Sequence, residues 1–206
     1  MINVELDGRL LTLTLNRPEK ANSLTRLMLE ELDAALAHAE LKGVRAVILT
    51  GVGNVFSAGA DLDDARAGLA TDPVWERLSA RVAGLPCLTI AALNGTLAGG
   101  AMGMVLACDL RLAVPSAKFF YPVMKLGFLP QPTDPRRLSA LIGPSRTKML
   151  LMGGARIDTA EALSWGLIDR LVQPEILMEE ARQLASDAMA ASADHVAAIK
   201  RLVPAA

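Results

Sequence analysis

The amino-acid sequence predicts one α/β domain, and three observations point to it. Strand-like and helix-like segments alternate along nearly the whole chain, the pattern of a sheet covered by helices. Val47-Ile48-Leu49 and Leu88 to Leu93 are apolar without alternation, as strands buried on both faces are. Hydrophobic residues make up 52% of the 206 and charged residues 21%, a composition that folds around a core. Such a length supplies one good core, so residues 1–206 are read as a single domain.

Leu10 to Leu15 alternates with Thr12 and Thr14, the period of a half-buried strand, and Asn16-Arg17-Pro18 ends it. Asn22 or Ser23 is placed to cap a long helix with the apolar stripe Leu24, Leu27, Met28, Leu32, Ala35, Leu36 and Ala39, which Gly43 ends. Val44 to Thr50 is the next strand, and Gly51-Val52-Gly53-Asn54 turns the chain. Phe56 to Leu62 is a loop of small residues, and the more polar, partly helical stretch Asp63 to Arg81 has the composition of a cover over a site. After the strand Leu88 to Leu93 come a turn at Asn94-Gly95 and an apolar helix from about Gly99 to Ala107. Asp109 to Val114 and a segment near Phe119 return as strands. Pro130 to Pro135 is a rigid loop, with Pro135 in the first turn of a helix that reaches Leu151. Asp158-Thr159-Ala160-Glu161 has capping-box spacing ahead of a helix that Gly166 ends. Leu167 to Val172 is a short strand, and about 175–206 is a helical tail.

Charge and composition exclude several classes. Lys plus Arg number 21 against 22 Asp plus Glu, so no cationic excess favours nucleic acid, and 3% aromatic residues leave little to stack on bases. Val82 to Cys108 carries no charge, yet Pro86, Asn94, Gly84, Gly95, Gly99, Gly100 and Gly103 divide it into pieces too short to span a membrane. Met1 to Leu15 holds Glu5, Asp7 and Arg9 and lacks a signal-peptide pattern, and Cys87 and Cys108 are too few for a disulfide scaffold. A cytoplasmic protein is expected. His38 and His195 show no metal-ligand spacing and no G-x-S-x-G elbow is present, so neither a metal centre nor a serine hydrolase is expected. Met102, Met104, Met149 and Met152 read as core filler.

Two loops carry the candidate chemistry: Ser57-Ala58-Gly59-Ala60 and Leu97-Ala98-Gly99-Gly100. Each places unobstructed backbone N–H groups between a buried strand and a helix, where minimal side chains let a ligand approach the main chain. The second, at a helix start, suits an anion or a developing oxyanion. Tight turns and close packing would use the same residues.

With these loops the chain resembles the enoyl-CoA hydratase/isomerase family, the crotonase superfamily. The resemblance rests on Asn16-Arg17-Pro18, Phe56-Ser57-Ala58-Gly59-Ala60-Asp61-Leu62, Asn94-Gly95 with Gly99-Gly100, Cys108-Asp109, Ala117-Lys118-Phe119, and Ala162-Leu163-Ser164-Trp165-Gly166-Leu167-Ile168-Asp169. It implies a crotonase-like superhelix of repeated strand-strand-helix units, assembled as a homotrimer or a dimer of trimers and acting on acyl-CoA thioesters. Coenzyme A would arrive with the substrate, with no separate cofactor. The resemblance assigns the oxyanion-hole amides to Ala60 and Gly100. It assigns the adenine and pantetheine to backbone around Lys20, Ala21, Ala58 and Asp61 to Leu62, with Arg17 and Lys20 near phosphates.

The chain departs from the family where water-adding members carry two glutamates, for it has Gly103 and Val123 there. Neither transfers a proton, so the reaction subtype is left open between lyase and isomerase chemistry. Gln131 and Asp134 lie near where other members place functional groups, and Asp134, the one carboxylate of the pair, is the replacement acid or base. Its other role would be to cap the helix begun by Pro135. Tyr121 and Lys125 are further candidates, and Asp61 reads as a turn or helix cap. The chain also ends early for the family, so its C-terminal helical region is shortened and a more open CoA site, or one completed by a neighbouring subunit, is expected.

Two alternatives remain at this level. The missing glutamates fit a non-catalytic acyl-CoA-binding protein or oligomer scaffold, whereas paired oxyanion loops fit an enzyme. The Tyr121-x-x-x-Lys125 spacing resembles an NAD(P)-dependent short-chain dehydrogenase, although Pro122 interrupts a helix there and the glycines fail the G-x-G-x-x-G pattern.

Overall fold

A parallel strand pair needs a long crossover, and this chain uses that crossover to visit a second sheet before returning to the first. The computed structural model describes residues 1–203, side chains at 40 and 41 excepted, so the end of the expected helical tail, 204–206, lies outside the described residues. Its strands are β1 (Ile2–Asp7), β2 (Leu10–Leu15), β3 (Ala46–Gly51), β4 (Val55–Ser57), β5 (Leu88–Leu93), β6 (Thr96–Ala98), β7 (Leu110–Ala113), β8 (Lys118–Phe120), β9 (Ile157–Asp158) and β10 (Arg170–Leu171). Its helices are α1 (Arg26–Leu41), α2 (Leu62–Arg66), α3 (Val74–Gly84), α4 (Met102–Leu106), α5 (Val123–Leu126), α6 (Asp134–Ile142), α7 (Pro144–Leu151), α8 (Thr159–Trp165), α9 (Leu177–Ala190) and α10 (Ala193–Leu202). One six-stranded sheet has the order β1-β2-β3-β5-β7-β10, and a four-stranded sheet has the order β4-β6-β8-β9. The first strand of each successive pair (β3, β5, β7) enters the large sheet and the second (β4, β6, β8) the small one.

β2, β3, β5, β7 and β10 are parallel, with Leu10 opposite Ala46, Ala46 opposite Leu88 and Ile90 opposite Leu110. Val47, Ile48, Leu49 and Ile90 to Leu93 are buried, as their lack of alternation predicts. The small sheet matters most for the site. β4, β6 and β8 are neighbours and parallel, so the residues that follow each of them emerge side by side at one edge.

Several boundaries differ from expectation. β1 pairs antiparallel with β2 through a turn in which Gly8 adopts φ +57°, a strand not foreseen because most of β1 is exposed. β2 is buried at Thr12 as well as at its leucines, so its alternation reflects side-chain type rather than exposure. α1 begins at Arg26, where Thr25 Oγ1 accepts from the Met28 N–H at 3.2 Å, so Thr25 caps it in place of Asn22 or Ser23. Leu27 falls outside the stripe and is exposed. The helix expected to run to Leu151 breaks at Gly143, φ +80°, and Pro144 starts α7. Met149 and Met152 are exposed, while Met102 and Met104 are core.

The 158–161 capping box forms as expected: Asp158 accepts from the Glu161 N–H at 2.9 Å, Glu161 accepts from the Asp158 N–H at 3.5 Å, and Gly166 ends α8 at φ +85°. α10 is latched by Lys200 Nζ, which donates to Asp109 Oδ2 at 2.8 Å and to the Cys87 carbonyl at 2.9 Å. Cys87 and Cys108 are buried and form no disulfide. The uncharged stretch divides among α3, β5, β6 and α4, and among the described residues no helix is long and apolar enough to cross a membrane.

Candidate active site

The carboxyl ends of parallel strands are where backbone loops open toward a ligand. Here Ala58–Ala60 follows β4, Gly99–Gly100 follows β6 and Tyr121–Val123 follows β8, and all three segments border one cavity of about 310 Å³. Gly59 has φ +93° and Gly99 φ +58°, conformations that glycine adopts without strain. A methyl group at Gly59 would sit 3.0 Å from the Ala98 carbonyl oxygen and 3.5 Å from the Gly100 nitrogen. The two loops therefore touch through glycine backbone. Among the described residues the Ala60 and Gly100 N–H groups donate to no backbone or side-chain acceptor, and both residues are half-buried at the cavity. Two unspent donors at the mouth of a partly dry pocket are what a negatively charged oxygen needs.

The first loop is held from outside by the segment preceding α1. Ala58 N–H donates to the Ala21 carbonyl at 3.0 Å, Leu24 N–H to the Gly59 carbonyl at 2.8 Å, and Asp61 N–H to the Leu24 carbonyl at 2.9 Å. Buried Asn22 fixes the approach, accepting from the Arg17 N–H at 2.8 Å and donating to the carbonyls of Val52 at 3.0 Å and Val55 at 2.8 Å. Lys20, Ala21, Ala58, Asp61 and Leu62 thus belong to one region. Ala58 and Leu62 border the cavity, and Lys20 is exposed.

Two side chains there are committed elsewhere. Asp61 caps α2, accepting from the N–H groups of Asp63 and Asp64, and receives Arg17 Nη1 at 2.6 Å. The Arg17 hydrogen bond holds the Asp61 carboxyl below the usual carboxylate range despite partial burial, and the α2 amides reinforce it. Arg17 also donates to the Ser23 carbonyl at 3.1 Å and the Ser23 hydroxyl at 3.0 Å, so its Nη1 is engaged within the protein.

The opposite wall is built from side chains. Tyr121 and Gln131 border the cavity, whereas Asp134 is fully buried behind them and does not reach it. Tyr121 Oη donates to Asp134 Oδ2 at 2.9 Å and accepts from the Gln131 N–H at 3.4 Å. The side chain of Asp134 caps nothing, contrary to one expectation. Glu76, from α3, takes that place by accepting from Thr133 N–H at 3.2 Å and Thr133 Oγ1 at 2.8 Å. Asp134 instead occupies the space that Gly103 leaves open: a methyl group at Gly103 would stand 3.0 Å from Asp134 Oδ1 and 3.3 Å from Oδ2. Burial pushes the Asp134 carboxyl up to about 7, Glu76 adds to the shift, and Tyr121 and Arg137 oppose it. Burial, with the charge of Asp134, pushes the Tyr121 phenol far above its ordinary value.

A family model described as enoyl-CoA hydratase/isomerase matches residues 5–206. The chain belongs to the enoyl-CoA hydratase/isomerase family. It is similar to the enoyl-CoA hydratase/isomerase-type protein YngF of Bacillus subtilis, 38% identical over 84% of this chain and 70% of that one. It is similar also to the short-chain-enoyl-CoA hydratase of Clostridium acetobutylicum, 34% identical over 89% of this chain and 73% of its relative. Among solved structures, an enoyl-CoA hydratase from Bacillus anthracis superposes with a TM-score of 0.90 at 34% identity, covering 97% of this chain and 81% of that one. The mixed sheets and helices of the chain are those of the crotonase fold.

Within this crotonase-family site, one contributor escaped sequence reading. Trp75 lines the cavity and lies against Gly100, whose added methyl would meet the indole at 3.2 Å, and its Nε1–H donates to the Leu69 carbonyl at 2.8 Å. A tryptophan in an amphipathic helix start carries no signal that distinguishes it from core. The dehydrogenase-like Tyr121/Lys125 spacing does not form one helix face, since Tyr121 precedes α5 and is buried while Lys125 is exposed.

Proposed function

We propose that the chain is an acyl-CoA thioester enzyme in which the Ala60 and Gly100 amides hold the thioester carbonyl oxygen as it becomes an enolate. The observation that carries this reading is the contact of the two glycine loops at one cavity, with both N–H groups unspent. Preorganised amides stabilise charge that develops only in the transition state, which is what accelerates a reaction rather than merely binding its substrate. Family membership makes CoA esters the substrate class. CoA comes as part of the substrate, its adenine and pantetheine held by backbone around Lys20, Ala21, Ala58, Asp61 and Leu62, with Gln131 toward the acyl end. Assembly as a homotrimer or a dimer of trimers and residence in the cytoplasm belong to the same reading.

Gly103 and Val123 supply no proton, and this favours a second reading, an acyl-CoA-binding protein without turnover. Purified protein offered enoyl-, malonyl-type and aromatic acyl-CoA esters decides between them. Turnover of any ester supports the enzyme, and binding without turnover supports the alternative. Sedimentation measures the assembly.

A further inference from the structure

The resemblance puts carboxylates at 103 and 123, and the structure puts none at either place. What stands at this side of the cavity is a phenol backed by a buried carboxyl. We propose that Tyr121 is the catalytic residue that exchanges a proton with the carbon next to the thioester carbonyl, and that Asp134 is the positioning residue that takes and returns the phenolic proton from behind. This rests on the enolate reading above and adds to it the proton-transfer group.

The geometry argues for a relay in this order. Tyr121 follows β8 just as Ala58–Ala60 follows β4 and Gly99–Gly100 follows β6, and Tyr121, Ala60 and Gly100 border the same small cavity. Its Oη donates to Asp134 Oδ2 at 2.9 Å and accepts from the Gln131 N–H at 3.4 Å, which orients the oxygen and leaves its second lone pair. Asp134 is sealed from solvent, and among the described residues its Oδ1 has no hydrogen-bond partner; Arg137 Nη1 stands 4.0 Å away. Such a carboxyl is costly to keep unless it has a use, and a side chain at 103 would displace it. Gly103 and Asp134 are thus one arrangement: the missing side chain at the first position makes room for the carboxyl from the second.

The step balances without another reactant. As the bond between the α-carbon and its hydrogen breaks, the proton passes to Tyr121 Oη while the phenolic proton passes to Asp134 Oδ2. The electron pair moves to the thioester oxygen, held by Ala60 and Gly100. Protonation of the enolate reverses each transfer. Because burial raises the phenol strongly, a free phenolate is disfavoured, and the carboxyl behind it, near neutrality, accepts and releases the proton at similar cost. The ionisable groups facing Asp134 are Tyr121, Arg137 and Glu76.

The test is deuterium uptake at the α-carbon of acetyl-, butanoyl- and phenylacetyl-CoA in heavy water, followed by mass spectrometry. The native chain is expected to exchange at least one ester with a pH profile inflecting near 7. Tyr121→Phe should slow exchange by about 100-fold or more, while calorimetric affinity for the ester stays within about threefold. Asp134→Asn should slow it and erase the inflection, and it carries the test if Tyr121→Phe does not fold. Exchange at the native rate in both variants overturns the relay but leaves the enolate reading intact. Absence of exchange by the native chain on all three esters overturns that reading itself.

Discussion

The two walls of the cavity are made of different material. One is main chain: two strand ends, two glycines with positive φ and two amides, in which side chains matter only by being small. The other is side chain: Tyr121, Asp134 and the space at Gly103, gathered from three elements. A backbone wall is written locally, as a run of Ser, Ala and Gly, and survives changes around it. A side-chain wall depends on every partner at once.

Four perturbations separate the walls, taken in order of size. The largest is pH. The Asp134 carboxyl binds its proton more tightly folded, near 7, than unfolded, near 3.8. Stability from this group is therefore complete below about pH 4 and lost as pH rises through about 7, by roughly 4 kcal/mol. Urea titrations from pH 4 to 8 should show that loss in the native chain and not in Asp134→Asn; parallel curves would mean that the carboxyl is not held as described.

Next, Ala60→Pro removes one amide donor from the backbone wall. Turnover or exchange should fall by about 10²–10³, near 3 kcal/mol of barrier, with ester affinity little changed. Gly59→Ala forces a side chain to φ +93° against the Ala98 carbonyl, and thermal or urea unfolding should show a loss of about 2 kcal/mol. The smallest effect is Gly103→Ala, about 1 kcal/mol of crowding against Asp134. It should turn stabilising when Asp134→Ala is also present, because the two sites share one space. Additive energies would show that they do not.

The comparison also explains what could be read in advance. The 158–161 capping box, Pro135 in the first turn of α6 and the glycine loops are local events, decided within a few residues, and they appear where the sequence puts them. The break at Gly143-Pro144 is local too, a glycine with positive φ followed by a proline, and the expectation of one helix to Leu151 passed over it. The exposure of Met149 and Met152 and the strand β1 depend on what packs against them, which no window of sequence records. Asp134 shows the limit most clearly. Its position before Pro135 suggests a helix cap, but Thr133 and Glu76 serve that end of α6, and the carboxyl turns to Tyr121 because Gly103, on a different helix, leaves it room.

The most direct measurement is a crystal structure with an acyl-CoA ester or an enolate mimic bound. The account predicts the ester oxygen about 2.7–3.1 Å from both the Ala60 and Gly100 nitrogens. An oxygen turned away from either nitrogen, with the acyl group lying outside this cavity, would contradict it.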